Sequence, residues 1–309
     1  MTILLIHTGG TIAMVAGPAG LVPQEGLLES QVAQMGHKVE VLTLSPLIDS
    51  ANASFSDWNR IAAAIEAGHK TYHSFVVTHG TDTLAFTAAA LTFALAGLQK
   101  PVILTGAMLP FGTSGTDANR NLADAIQAAQ TAPAGVWVQF GGKLMHGAKL
   151  RKTNSHDVDA FDAGPSAKPP LIAAPQMICT QFHRPELAIL SMAPNQSTKA
   201  QTAMLSACDG VVLRVYGAGT IPDDPALLRA LHAAKDNDVL MVAVSQSPLG
   251  GVALGTYAAG APLIDAGVVD GGRMTPEAAY AKLAHVLSHD ASFAAQRARL
   301  ATDLCGETQ

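Results

Sequence analysis

The sequence predicts an α/β protein, in which a mostly parallel sheet forms an N-terminal domain and a smaller α/β domain follows it. Three observations lead there. A chain of 309 residues is long for one core and suggests two. Short runs of Val, Ile and Leu recur without polar alternation, the pattern of strands covered on both faces. Ala-rich segments with helical spacing lie between several of these runs, and strand alternating with helix gives a parallel sheet.

Taken in order, the expected strands are TILLI (2–6), KVEVLTL (38–44), SFVVT (74–78), PVILTG (101–106), GVWVQF (135–140), LAILS (187–191), GVVLRV (210–215) and VLMVAVS (239–245). Helical spacing marks SDWNRIAAAIEAG (56–68), DANRNLADAIQAAQ (117–130) and TPEAAYAKLAHVLSHD (275–290). The apolar stretch LAFTAAALTFALAGL (84–98) is shorter than a bilayer span and carries two threonines, so it reads as a buried helix. Proline and glycine concentrate in DAGPSAKPPLIAAPQ (162–176), which divides the chain into a first domain at 1–165, a linker at 166–186 and a second domain at 187–309.

Composition narrows the function classes. A hydrophobic fraction of 49% against 14% charged residues excludes general disorder. The net charge of −5, with no basic run longer than Lys149–Lys152, speaks against nucleic acid or an anionic membrane as a partner. Three widely spaced cysteines, Cys179, Cys208 and Cys305, read as reduced thiols. The start MTILLIHTGG has no basic segment and too short an apolar run for a signal peptide, so a cytoplasmic protein is expected.

Three apolar runs of the first domain end alike, in HTGGT (7–11), THGTDT (78–83) and TGAM (105–108). In a parallel sheet the carboxyl ends of the strands share one edge, and ligands bind outside it. Gly9 and Gly10 would let backbone approach a ligand, with Thr11 offering a hydroxyl, but the phosphate-loop lysine and the third glycine of a dinucleotide site are missing. Asp82 and Thr81 stand just ahead of the apolar helix, where a helix N-terminus favours a carboxylate and where either side chain could be a cap. Lys152 stands among polar residues in an otherwise apolar chain; a desolvated lysine beside a threonine can act as its base, with an aspartate holding the geometry. His7, His79 and His146 read as hydrogen-bonded structural residues. His285 and His289 share a helix face without a third ligand nearby in sequence, so no metal and no organic cofactor is expected.

TGGTIA, THGTDT, PVILTGAM and KTNSHDVDAF, in this order and at these separations, resemble the bacterial-type L-asparaginases, and DGVVLRVYGAG (209–219) and TPEAAYAKL (275–283) extend the likeness over nearly the whole chain. PLIDSANAS (46–54) is closer to the cytoplasmic type I branch. The resemblance implies hydrolysis of L-asparagine to L-aspartate and ammonia, with Thr11 as nucleophile and Thr81, Asp82 and Lys152 as a second, triad-like group. It further implies Asp82 on the substrate α-ammonium, Ser50 on the α-carboxylate, the amides of Gly10 and Thr81 facing the oxyanion and the Ala107 carbonyl receiving the leaving nitrogen. It also implies a homodimer or homotetramer, each site completed by the neighbour's second domain.

Two positions depart from the family pattern. Ala51 follows Ser50 where the family has Gln or Ser, which removes a donor. The loop AMVAGPAGLVPQEG (13–26) lacks the family's tyrosine; Leu21 occupies that position as a possible apolar lid, and Tyr257 is the alternative source of a hydroxyl. Two other readings share these residues. One is the asparaginase-like subunit of a tRNA-dependent amidotransferase, which carries an extra N-terminal domain, whereas this chain starts at its first strand. The other is a catalytically silent amino-acid-binding protein on the same fold.

Overall fold

The computed structural model describes residues 2–17, 20–256 and 260–309. The chain divides into two compact units, Met1–Thr180 and Gln181–Gln309.

The first unit runs β1 (Ile3–His7), β2 (Met14–Gly17), β3 (Gly20–Pro23), α1 (Leu27–Gln34), β4 (Val39–Thr43), α2 (Phe55–Gly68), β5 (Ser74–Thr78), α3 (Leu84–Ala94), β6 (Leu95–Ala96), β7 (Pro101–Thr105), α4 (Ala118–Thr131), β8 (Gly135–Phe140), β9 (Lys143–His146), β10 (Arg151–Lys152), β11 (Phe161–Asp162) and β12 (Ile178–Cys179). Its main sheet has the order β4-β1-β5-β7-β8-β9, parallel up to β8, with β9 antiparallel at the edge. Register places His7 beside Thr78, and Thr78 beside Thr105. The three polar strand ends therefore lie in one row, and the loops after them leave the sheet at the same edge.

Both faces of this sheet are covered, as its unbroken apolar runs require. On one face Ile3, Leu5, Val76 and Ile103 form a core with Leu28 and Val32 of α1 and Leu122 and Ile126 of α4. Helix α2 is fixed at its start by a capping box between Ser54 and Asp57. Helix α3 is buried at every position from Leu84 to Ala94 except Phe86. It ends at Ala94, four residues before the apolar run does. Leu95 and Ala96 instead pair with Cys179 and Ile178, and Gly97 takes a left-handed φ of 69°.

The segment expected as linker is tied to the first unit along its middle. The Val136 amide donates to the Pro170 carbonyl, Gly97 to Ile172 and Thr180 to Ala94.

The second unit runs β13 (Leu187–Ser191), α5 (Thr198–Ser206), β14 (Gly210–Val215), α6 (Pro225–Asp236), β15 (Leu240–Ser245), α7 (Ala261–Asp265), β16 (Val269–Asp270), α8 (Pro276–Leu287) and α9 (Phe293–Ala301). Its four strands are parallel in chain order. Leu205, Leu227, Leu231 and Leu263 from the helices pack on Val211, Leu213, Val215 and Met241. Both units are thus α/β, and the first sheet is parallel in all but its last strand. Among the described residues no helix is long and apolar enough to cross a membrane, and no group of three or more His, Cys, Asp or Glu is placed to hold a metal ion.

Candidate active site at the carboxyl edge of the first sheet

Beyond β1 the chain turns through Gly9 and Gly10, with φ of 120° and 91°. Both positions exclude a side chain for steric as well as torsional reasons. A Cβ on Gly10 would lie 2.6 Å from the Gly80 nitrogen, and one on Gly9 2.6 Å from the Ile48 carbonyl oxygen. The loops after β1, β4 and β5 therefore meet backbone to backbone, and only glycine permits that approach. Thr11 opens a short 3₁₀ turn whose next residues, Ile12 and Ala13, are buried and anchor it. Thr11 itself stays half-buried. Behind it, the Thr8 hydroxyl donates to the Thr78 carbonyl at 2.6 Å, and His7 Nδ1 lies 3.0 Å from Thr78 Oγ1. Burial holds the His7 imidazole below its usual pKa, toward the neutral form.

The loop after β5 carries Thr81 and Asp82. The N-cap of α3 is Thr83, which corrects the reading of Thr81 or Asp82 as the cap. The Thr83 hydroxyl is turned away from the helix to the Ser50 carbonyl at 2.7 Å, which ties this loop to the one carrying Ser50. Neither Thr81 nor Asp82 is used in capping, and both meet Lys152. The Lys152 ammonium donates to Thr81 Oγ1 at 3.0 Å and to Asp82 Oδ1 at 3.0 Å. Lys152 is delivered by β10, which pairs with β11 so that Lys152 stands opposite Phe161. Its side chain is 22% exposed and that of Asp82 65%, so the pair opens to solvent and the lysine is less buried than the sequence suggested.

Ser50 is buried at the start of a second 3₁₀ turn capped by Asp49, whose Oδ1 accepts from the Ala51 amide. The Ser50 hydroxyl lies where a side chain on Gly80 would have to go. A cavity of about 140 Å³ opens between the first and second loops, with Gly10, Ala13, Met14, Leu47, Ile48 and Asp49 on its wall.

Ala107 is buried in the loop after β7, whose shape depends on two residues that the strand and motif pattern does not single out. Asp117 accepts from the Met108 and Leu109 amides, and Asn121 donates to the Gly106 carbonyl at 3.0 Å and to Asp117 Oδ2 at 2.9 Å. Asn121 Oδ1 in turn accepts from the Gly141 amide. An acid at the N-cap of α4 and an amide four residues on, inside the helix, were the available signal.

Leu21 stands on β3 opposite Ala16 and is 47% exposed. The foot of this hairpin is fastened to the Thr11 turn, since the Gln24 amide donates to the Ala13 carbonyl. Tyr257 lies outside the described residues. The strand-end histidines are hydrogen-bonded, as the sequence suggested: His7 to Thr78 of β5, His79 to the Gly80 carbonyl and to Thr87 of α3, and His146 through Nδ1 to the Ala148 amide.

Comparison with known proteins agrees across the chain. Residues 2–181 match the family described as "Asparaginase, N-terminal", and residues 186–300 match the "Glutaminase/Asparaginase C-terminal domain". The chain is 33% identical to L-asparaginase 1 of Escherichia coli (strain K12), covering 99% of this chain and 97% of that protein. The crystal structure of L-asparaginase I from Vibrio cholerae superposes with a TM-score of 0.88 at 31% identity, over 100% of this chain and 99% of that one. A glutamyl-tRNA(Gln) amidotransferase component of Pyrococcus furiosus is 30% identical over 99% of this chain and 76% of its own length.

Proposed function

Since this chain belongs to the asparaginase family, we propose that it hydrolyses the side-chain amide of L-asparagine to L-aspartate and ammonia through a threonine acyl-enzyme. The contacts of one ammonium, Lys152 Nζ, with both Thr81 and Asp82 at the glycine-lined sheet edge carry this reading.

Each requirement of amide hydrolysis has a candidate group. Thr11 Oγ1 attacks the side-chain carbonyl carbon and gives up its proton, the C–N bond breaks, and the leaving nitrogen takes up that proton to depart as ammonia past the Ala107 carbonyl. Water then cleaves the Thr11 ester to release aspartate. The amides of Gly10 and Thr81 face the oxyanion; in such sites the loss of one donor typically costs about 10²–10³ in rate. Lys152, donating to one lone pair of Thr81 Oγ1, fixes that hydroxyl, whose second lone pair can accept from Thr11 or the water while its own hydrogen stays free to donate onward. Asp82 Oδ1 holds Lys152, and Oδ2 takes the substrate α-ammonium. Ser50 takes the α-carboxylate, with Ala51 offering no side-chain donor beside it. On this reading the enzyme works in the cytoplasm as a homodimer or homotetramer.

Ammonia release by the purified protein tests the assignment, with L-asparagine, L-glutamine and D-asparagine compared. Turnover of L-asparagine is expected, with a preference over L-glutamine that one methylene sets at about 1–3 kcal/mol. No release from L-asparagine would sink the assignment, and equal kcat/KM for the two L-amides would sink the preference. Release that required a second protein and tRNA would favour the amidotransferase-like reading instead.

A further inference from the structure

His79 is the first residue after β5, and its side chain is buried. Nδ1 lies 2.8 Å from the carbonyl oxygen of Gly80, and Nε2 lies 3.1 Å from Thr87 Oγ1 on α3. Trp58 Nε1 of α2 donates to the same threonine oxygen at 3.1 Å. The carbonyl contact decides which ring nitrogen carries hydrogen. A carbonyl oxygen can only accept, so Nδ1 carries the hydrogen. An indole N–H can only donate, so Thr87 accepts from Trp58, and the Thr87 hydrogen is available to a bare Nε2. Burial holds the ring below its usual pKa, toward the neutral form, and with Nδ1 protonated a neutral ring leaves Nε2 bare to accept from Thr87.

The bond to Gly80 acts beyond Gly80. In a trans peptide the C=O and the following N–H lie in one plane and point opposite ways. Fixing the Gly80 carbonyl inward on His79 therefore turns the Thr81 N–H outward, away from the helices. Glycine peptides are otherwise the least restrained in a chain, and here the preceding His79–Gly80 peptide is packed closely against Gly10. We propose that His79 is a positioning residue, its Nδ1–H set on the Gly80 carbonyl and its Nε2 met by Thr87, that aims the Thr81 amide into the site through the Gly80–Thr81 peptide. Its value for the reaction rests on the asparaginase reading above, in which that amide meets the oxyanion.

The test separates this role from simple packing. His79→Leu removes the donor and is expected to lower kcat by about 10²-fold, the typical effect of a lost oxyanion donor, with KM within about threefold. His79→Asn places an amide N–H where Nδ1–H lay and is expected to recover kcat to within about tenfold of wild type. Thr87→Val removes the hydroxyl that meets Nε2 and is expected to fall between the two, with Thr87→Ser restoring it. A purely structural histidine would lower the melting temperature in both His79 variants without splitting kcat from KM and without rescue by Asn, and that result overturns the proposal. Nitrogen-15 spectra of the wild-type imidazole at neutral pH give a second arm that needs no turnover. Protonated Nδ1 with bare Nε2 is expected, and an Nε2–H tautomer or an imidazolium overturns the proposal. If the wild type releases no ammonia from L-asparagine, the functional reading fails on its own, and the spectra still decide whether Nδ1 carries the hydrogen that the Gly80 carbonyl accepts.

Discussion

Lys152 Nζ stands 3.0 Å from the hydroxyl oxygen of Thr81, although 71 residues separate the two in the chain. The same ammonium pairs with Asp82, whose side chain is 65% exposed. An ion pair this open contributes about 0–1 kcal/mol to stability, so its geometry matters for chemistry more than for folding. Lys152→Met is therefore expected to lower kcat by about 10²–10⁴-fold, with little change in melting temperature. Asp82→Asn is expected to act chiefly on KM for L-asparagine. Steady-state ammonia release with both variants checks this; equal effects of the two on KM alone would remove Lys152 and Asp82 from a common group with Thr81.

Thr11 is half-buried at the head of a turn held by Ile12 and Ala13, so its hydroxyl is spared from packing. Thr11→Ala is expected to leave fold and substrate binding nearly intact while abolishing turnover. Retention of more than about a tenth of wild-type kcat would move the nucleophile to Thr81.

Lys282 of α8 and Glu307 near the C-terminus are both fully buried, with Nζ 2.6 Å from Oε1. Lys282 also donates to the Thr302 carbonyl, and Glu307 accepts from the Leu304 and Cys305 amides. Breaking such a pair from one side leaves an uncompensated buried charge, so Lys282→Met is expected to cost about 3–5 kcal/mol by denaturant unfolding. Lys282→Met with Glu307→Leu should recover part of that loss, because the Leu304 and Cys305 amides still lose their acceptor. A single variant as stable as wild type would show that breaking the pair from one side leaves no uncompensated buried charge.

His285 is pushed down to about 3 by burial and by the positive neighbours His289, Arg299 and Lys282. Arg299 Nη2 lies 3.1 Å from His285 Nε2 and His289 Nε2 3.3 Å from it, so the neutral ring serves as acceptor. The unfolded chain takes up this proton near pH 6.5 and the folded one does not until about pH 3. Stability from this group is thus fully present above about pH 6.5 and declines as pH falls, by at most about 1.4 kcal/mol per unit. His285→Gln keeps an acceptor for Arg299 and should flatten unfolding free energy against pH between 7 and 5. An unchanged slope would mean that His285 titrates alike in both states.

Much of this arrangement is legible in the sequence because burial on both faces writes strands as unbroken apolar runs. The same property ensures that the polar residues ending those runs, His7, Thr78 and Thr105, face one edge. Apolarity is silent, however, about where a buried helix gives way to a strand, which is why α3 stops at Ala94 while the apolar run continues. The reversal into β9 does have a local sign. Gly141 and Gly142, with φ of 57° and 78°, form the two-residue link of a hairpin, a sequence signature easily lost beside the parallel pattern. Asp117, Asn121 and His79 are harder to read, since their importance lies in which carbonyls and amides they reach in three dimensions.

The family tyrosine missing from the loop leaves a question that the hairpin makes testable. Leu21 lies on β3, opposite Ala16, and the hairpin's foot is bonded to the Thr11 turn through Gln24 and Ala13. A leucine can neither donate nor accept a hydrogen bond, so it cannot replace the hydroxyl of a tyrosine. Nearly half of its surface is exposed, and covering that surface over a bound substrate would remove apolar area from water and exclude solvent from the reacting groups. Thr11 would then be activated through Thr81, Lys152 and water, with Leu21 as lid. Leu21→Ala is accordingly expected to lower kcat/KM several-fold, and Leu21→Met, which conserves volume, to preserve it to within about threefold. Tyr257→Phe, outside the described residues, is expected to leave kcat within about threefold of wild type. Steady-state kinetics on the three variants decide the matter. A fall of about two decades or more in Tyr257→Phe, with Leu21→Ala near wild type, would assign the missing hydroxyl to Tyr257 and leave Leu21 as a surface residue of the hairpin.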